Sequence, residues 1–180
     1  SFAQTENAQA IQPNIVMNAD SVVQLTSNMA VIKDDPRTSF ASVLKSFQSG
    51  QERYTSTNNI INLGKDGQAY WLVFSVENKT DKTQWIIDFG SLKDGRLGFI
   101  QELFLYNQTR QQRVKELLLS ENAEVPKKVS QRFVPVNIGA GATETFIAFI
   151  GPNVGMPVTL SPTIISKDRF LSLETNLPYF

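Results

Sequence analysis

The chain has 180 residues, 41% of them hydrophobic, and its seventeen basic and seventeen acidic side chains cancel to a formal charge of zero. That length suits one domain with a real core, and the charge balance argues against a nucleic-acid-binding module or one held on an anionic membrane surface. There is no histidine and no cysteine, which removes serine–histidine triads, thiol nucleophiles, disulfides and most zinc sites.

Any catalysis would have to rest on carboxylates, lysine, tyrosine or serine, and a non-enzymatic domain is expected. No apolar run is long enough to span a bilayer. The start at Ser1 without an initiator methionine suggests a processed or trimmed chain.

Residues 1–20 are polar and weakly patterned and read as a flexible lead. Residues 22–25 and 29–32 are short apolar runs of strand type, separated by the turn cluster Thr26-Ser27-Asn28. Asp34-Asp35-Pro36 then breaks the chain. Over residues 38–47, Phe40, Val43, Leu44 and Phe47 fall on one side of a helix, with Thr38 or Ser39 as its cap and Ser49-Gly50 as its end. A helix this short is expected to close one end of a β-sandwich.

Strands follow. After a short one at residues 59–63, the run Tyr70–Asn78 alternates between two faces. Tyr70, Leu72, Phe74 and Val76 form an apolar face. Trp71, Val73, Ser75 and Glu77 form a mixed one. Asn78 ends the strand at a polar turn, where its side chain is expected to bond local backbone. Residues 84–89 read as the next strand, with Trp85, Ile87 and Phe89 in the main core.

Further strands are expected over residues 100–106, 114–119, 132–138, 143–150 and 157–165, with a charged loop at 121–128. Pro135 and Pro162 mark edges or bulges, because proline donates no ladder hydrogen bond. The expected fold is all-β, an antiparallel sandwich or barrel over residues 21–170, with residues 171–180 as an extension.

Trp71, Ser75 and Glu77 are the first candidate site. A flat aromatic flanked by hydrogen-bonding groups suits a sugar or another polyol with an apolar ring face. The competing expectation, which carries more weight, is that Trp71 is covered by a loop, the N-terminal strands or the helix. Tyr106, which shares a face with Glu102 and Phe104, and Arg132, placed to pair with an acidic ligand, complete the candidate set. Core packing with a wet hydroxyl is the default for Tyr106, and a surface position the default for Arg132.

No cofactor is implied. Asp66, Asp94 and the pair Asp34-Asp35 sit in loops of the kind that hold a structural calcium in some sandwiches, but none has the spacing of a dedicated calcium loop, and ordinary turns are expected. A glycan hydrolase would need two acids across a cleft, with Glu77, Asp88 and Glu102 as the acids on neighbouring strands.

The order of these features is similar to that of a known family. Tyr70-Trp71-Leu72-x-Phe74 ends in Asn78 and leads to Trp85. Leu105-Tyr106 and Phe133 follow, and then Gly151-x-x-x-Gly155-Met156-Pro157-Val158-Thr159-Leu160. Upstream lie Ile32-Lys33-Asp34-Asp35-Pro36, the short helix and Phe47.

Over residues 22–170 this resembles the type 2 extracellular domain of bacterial seven-transmembrane receptors with diverse intracellular signalling modules. The resemblance implies a jelly-roll β-sandwich similar to carbohydrate-binding modules, tethered in the periplasm of a Gram-negative bacterium. It implies membrane helices beyond Phe180, a histidine kinase or diguanylate cyclase output, and a carbohydrate or similar small molecule as ligand. A protein-interaction or homodimerisation module is the alternative expectation.

Overall fold

In the computed structural model, which describes residues 9–55, 58–64, 67–90, 100, 102–118, 133–152 and 158–174, the alternating runs become strands packed in two main sheets. In chain order the elements are β1 (Asn14–Val16), β2 (Val23–Gln24), β3 (Met29–Lys33), α1 (Phe40–Ser49), β4 (Ile61–Asn62), β5 (Tyr70–Asn78) and β6 (Gln84–Asp88). Then come β7 (Glu102–Asn107), β8 (Gln112–Leu118), β9 (Phe133–Asn137), β10 (Thr143–Ile150), β11 (Thr159–Leu160), β12 (Thr163–Ser166) and α2 (Lys167–Glu174).

The first sheet is built around β5. On one side β10 pairs with it antiparallel, from Thr143↔Glu77 to Ile150↔Tyr70, and β7 and β8 continue the sheet. On the other side β3 pairs with residues 70–74 and β1 runs parallel beside residues 76–78. The second sheet has the order β2-β12-β6-β9, and β11 and β4 form a separate ladder.

The main core lies between the two sheets. Leu72, Phe74 and Val76 of β5 meet Phe146, Ala148 and Ile150 of β10 and Leu103 and Leu105 of β7 along one wall. Trp85, Ile87, Val134, Val136 and Ile164 face them from the second sheet. The Phe74 and Phe146 rings stack with centroids 5.6 Å apart. Each fully buried side chain of this size contributes about 1.5–3 kcal/mol relative to exposure, so the apolar face of β5 outweighs any single hydrogen bond at its ends. The all-β sandwich and the core placement of Trp85 are as the alternation predicts.

Five expectations need correction. Residues 9–20 are not a free lead: Ile11 is buried, and Asn14 Nδ2 donates to the carbonyl oxygens of Asn28 and Ser75 at 3.3 and 3.1 Å. A three-residue strand ordered by contacts so distant in sequence has no periodicity to detect.

Helix α1 does not close an end of the sandwich. It begins in a capping box between Ser39 and Ser42 and ends at Gly50, whose φ of 71° is the left-handed conformation that glycine adopts without a Cβ clash. Val43 and Phe47 then pack on Ala30, Val73 and Ile147, so the helix covers the outer face of the first sheet as a second core.

Residues 157–165 do not form one strand. Pro162 separates β11 from β12, and the two belong to different sheets. Part of the expected extension, up to Glu174, is helix α2, with Phe170 against Phe133 at 4.8 Å.

Asn78 is fully buried and bonds more than local backbone. Its Nδ2 donates to the carbonyls of Lys82, Ile138 and Gly139 at 2.6, 3.0 and 3.3 Å, and its Oδ1 accepts from Thr80 N and Oγ1. One side chain thereby ties the β5–β6 turn to the β9–β10 turn. Asn78→Ala is expected to lower stability by about 1–3 kcal/mol, because the buried Ile138 carbonyl loses its Asn78 donor while those of Lys82 and Gly139 keep the Trp85 and Ala142 donors. Asn78→Asp, which keeps the size but not the donors, should lose most of the same. Urea unfolding checks both: a lower midpoint at unchanged slope is the expected outcome.

Candidate functional site

Trp71, Ser75 and Glu77 share the outer face of β5, as alternation requires, but they do not converge on one small ligand. At about 3.3 Å per residue they are spread over roughly 20 Å. Trp71 is covered: its Nε1 donates to Asp34 Oδ1 at 2.8 Å, and its ring meets Phe40 of α1 and Phe149 edge-on at 5.3 and 4.9 Å. The Ser75 hydroxyl is engaged with Thr145 Oγ1 at 2.6 Å. Glu77 lies 3.9 Å from Lys79.

Tyr106 is half-buried on the same sheet face, 5.3 Å from Phe40 and stacked with Phe104. Trp71 and Tyr106 therefore meet through Phe40, which is 40% exposed. Arg132 lies outside the described residues.

The calcium and hydrolase alternatives gain no geometry among the described residues. Asp34 is bonded to Trp71, Asp35 Oδ1 accepts from Arg37 N, and Asp66 and Asp94 lie outside the described residues. Among the described residues no group of three or more acidic ligands converges. Asp88 sits in the second sheet, with Oδ1 accepting from Gly90 N. Glu77 pairs with Thr143 at one end of β10, while Glu102 lies beside Gly151 past the other end. That separates the two by roughly 26 Å along the sheet, far beyond the ~5–9.5 Å of a glycosidase pair.

The structure instead brings polar groups together at the end of the sandwich where Asn78 ties the turns. A cleft of about 230 Å³ opens between β8, the edge of the first sheet, and β9, the edge of the second. Val114 and Pro135 give it a small apolar wall, while Asn107, Gln112 and Asn137 supply amides and Arg110 and Arg113 supply guanidinium groups. Pro135 lies on the β9 side, where an edge strand tolerates its missing donor.

Arg110 is placed by the β7–β8 turn. Its backbone N donates to Asn107 Oδ1 at 3.0 Å, and the next residue, Gln111, takes a left-handed φ of 53° to close the turn. The Arg110 Nε donates to Glu144 Oε1, and Asn107 Nδ2 reaches the same oxygen at 3.5 Å. Glu144 points to the core side of β10, in step with Phe146 and Ala148, and its side chain is only 3% exposed. Its other oxygen, Oε2, is buried and takes no hydrogen bond from the described residues. On β8, burial lowers the Lys115 ammonium below the usual lysine range.

Sequence reasoning missed Arg110, Asn107 and Glu144, although one signal was present. Glu144 has the same strand parity as Phe146, Ala148 and Ile150, and Asn107 the same parity as Leu103 and Leu105. A carboxylate at an inward position needs a cation. Nothing local in the sequence names Arg110, thirty-four residues away, as that partner.

The described residues form a β-sandwich with a small polar cleft between its sheet edges. The chain belongs to the 7TMR-DISM extracellular 2 family, whose model matches residues 26–161. This is an extracellular sensor domain of seven-transmembrane receptors. No curated protein matches the chain. No helix among the described residues is long and apolar enough to cross a membrane.

Arg110→Ala is expected to cost about 2–3 kcal/mol by stranding Glu144, less than the ~3–5 kcal/mol of a fully buried pair, because the Arg110 side chain is 42% exposed and water screens it. The double variant Arg110→Ala/Glu144→Ala should recover much of that loss. A double-mutant cycle in urea measures the coupling.

Proposed function

We propose that this domain is the periplasmic ligand-sensing part of a bacterial transmembrane receptor of the histidine kinase or diguanylate cyclase type. The ligand is a carbohydrate or similar small molecule, and it binds in the cleft between β8 and β9. One observation carries the choice of site: the cleft gathers amide and guanidinium groups, positioned by strands and a closed turn, beside a small apolar wall. Its volume, about 230 Å³, lies below the ~300–1,000 Å³ of drug-sized sites, which suits one small polar molecule.

The cleft touches both sheets, and the β9–β10 turn lies beside it. A ligand that bridges the sheet edges favours the arrangement in which they are held together. Signalling needs only such a difference in affinity between two states.

A second reading, a protein-interaction or homodimerisation module, draws on a different face. Phe40 stands exposed on a half-buried aromatic row of Trp71, Phe149 and Phe104. Broad aromatic surface of this kind suits a partner protein better than a small ligand. Light scattering of the purified chain separates the two readings: a dimer that Phe40→Asp dissociates supports the second.

The direct test of the first is a thermal-shift screen against sugars, sugar acids and amino acids. A ligand at a hundred times its Kd stabilises the folded state by about 2.7 kcal/mol, which raises Tm by about 5–10 °C in a domain of this size. Asn137→Trp, which fills the cleft, should abolish the shift, while Trp71→Phe should leave it unchanged. The opposite pattern would return the site to the outer face of β5.

A further inference from the structure

We infer that the ligand of the cleft carries a carboxylate, and that Arg110 is the residue that reads it. This deepens the cleft reading above and rests on it. Among the described residues, the charged side chains lining the cleft are Arg110 and Arg113. Glu144 balances the charge of Arg110 at Nε, so what Arg110 offers the cleft is the other edge of its guanidinium. Glu144, tied to Arg110, is buried behind the lining.

The Arg110–Glu144 contact uses one edge of the guanidinium. Nε is bonded to Glu144 Oε1, and among the described residues the two terminal nitrogens have no hydrogen-bond partner. Nη2 lies toward the β9–β10 turn: a methyl built on Gly139 would lie 3.9 Å from it. Two terminal N–H groups in a fixed plane match the two oxygens of a carboxylate, a geometry that a lysine does not offer.

Glu144 is then a positioning residue. Buried on β10 and held to Asn107 as well, it fixes the plane of the Arg110 guanidinium before any ligand arrives. A guanidinium already fixed loses less side-chain freedom on binding. Burial of Glu144 also keeps it from competing with the ligand on the solvent side. The amides of Gln112 and Asn137, which offer both donors and acceptors, suit hydroxyl groups on the same molecule. The chemical class is thus a small hydroxylated organic acid.

The test compares acids with their uncharged counterparts on the 180-residue chain. Glucuronate with glucose, gluconate with sorbitol, and lactate with propane-1,2-diol are the pairs, read by thermal shift and then by calorimetry. At least one acid should bind while its neutral counterpart, at equal concentration, does not.

Arg110→Gln should weaken that acid by about ten- to a hundredfold, the scale of a lost charge-assisted pair. Arg110→Lys, which keeps the charge but not the fork, should fall in between. Because Arg110→Gln leaves Glu144 buried without its cation, Arg110→Gln/Glu144→Gln serves as the variant in which the fold is relieved. It should bind the acid as weakly as the single variant while unfolding later.

Neutral counterparts that bind as well as the acids, or unchanged affinity in Arg110→Gln, would overturn the carboxylate inference. In that case Asn137→Trp still reports on the cleft: lost binding keeps the cleft reading alive, and retained binding removes both. No binding by any of the three acids also overturns the inference.

Discussion

The register of β5 against β10 is the constraint on which the rest of this structure depends. Eight consecutive pairs, from Glu77↔Thr143 to Tyr70↔Ile150, set which side chains face the space between the sheets. Because the strand period is two, a slip of β5 by one residue would send Leu72 and Phe74 outward and bring Trp71 and Ser75 into the core. The stacked Phe74 and Phe146 rings and the Ser75–Thr145 hydroxyl pair, on opposite faces, both hold only in this register. The same register sends Glu144 inward, where it needs a cation.

That inward carboxylate organises one end of the molecule. The β5–β6, β7–β8 and β9–β10 turns meet there. Asn78 joins the first to the third through its amide, and Arg110 brings the second alongside them through Glu144. A buried ion pair of this kind gives little net stability compared with apolar packing. Its effect here is geometric: it holds a cationic side chain rigidly beside a cleft that both sheets line. Stability comes from the two apolar cores, and the ion pair shapes the site.

The outer face of the first sheet shows how a sheet that leaves apolar residues on both sides resolves the excess. Val73 and Ile147 would be exposed on β5 and β10 without a cover. Helix α1, the segment at Ile11 and the ring of Phe40 supply it. Trp71, the most conspicuous ring in the sequence, becomes part of this second core, with its indole nitrogen satisfied by Asp34. In a sensor domain of the 7TMR-DISM extracellular 2 family, this leaves a largely covered aromatic face on one side and a polar cleft at one end.

Much of the fold was legible because it is written in short-range patterns. The alternation of Tyr70–Asn78, the capped helix after Asp35-Pro36, the proline on an edge strand at residue 135 and the inward Trp85 all follow from spacing and turn chemistry. The short β1 and the break at Pro162 were not legible, since each depends on what a distant segment packs against; a cover over Trp71 was expected, but not that Phe40 and Asp34 supply it.

The sequence by itself determined that this is an all-β domain without histidine or cysteine chemistry, with β5 as its two-faced central strand. Only the tertiary structure decided which polar residues stand together. Strand parity settles the side of a sheet on which a residue lies, but the meeting of Arg110 with Glu144, and of both with a cleft between β8 and β9, depends on how two sheets stack and where three turns converge. That stacking is the sum of many weak contacts between residues far apart in the chain, and no local spacing encodes it.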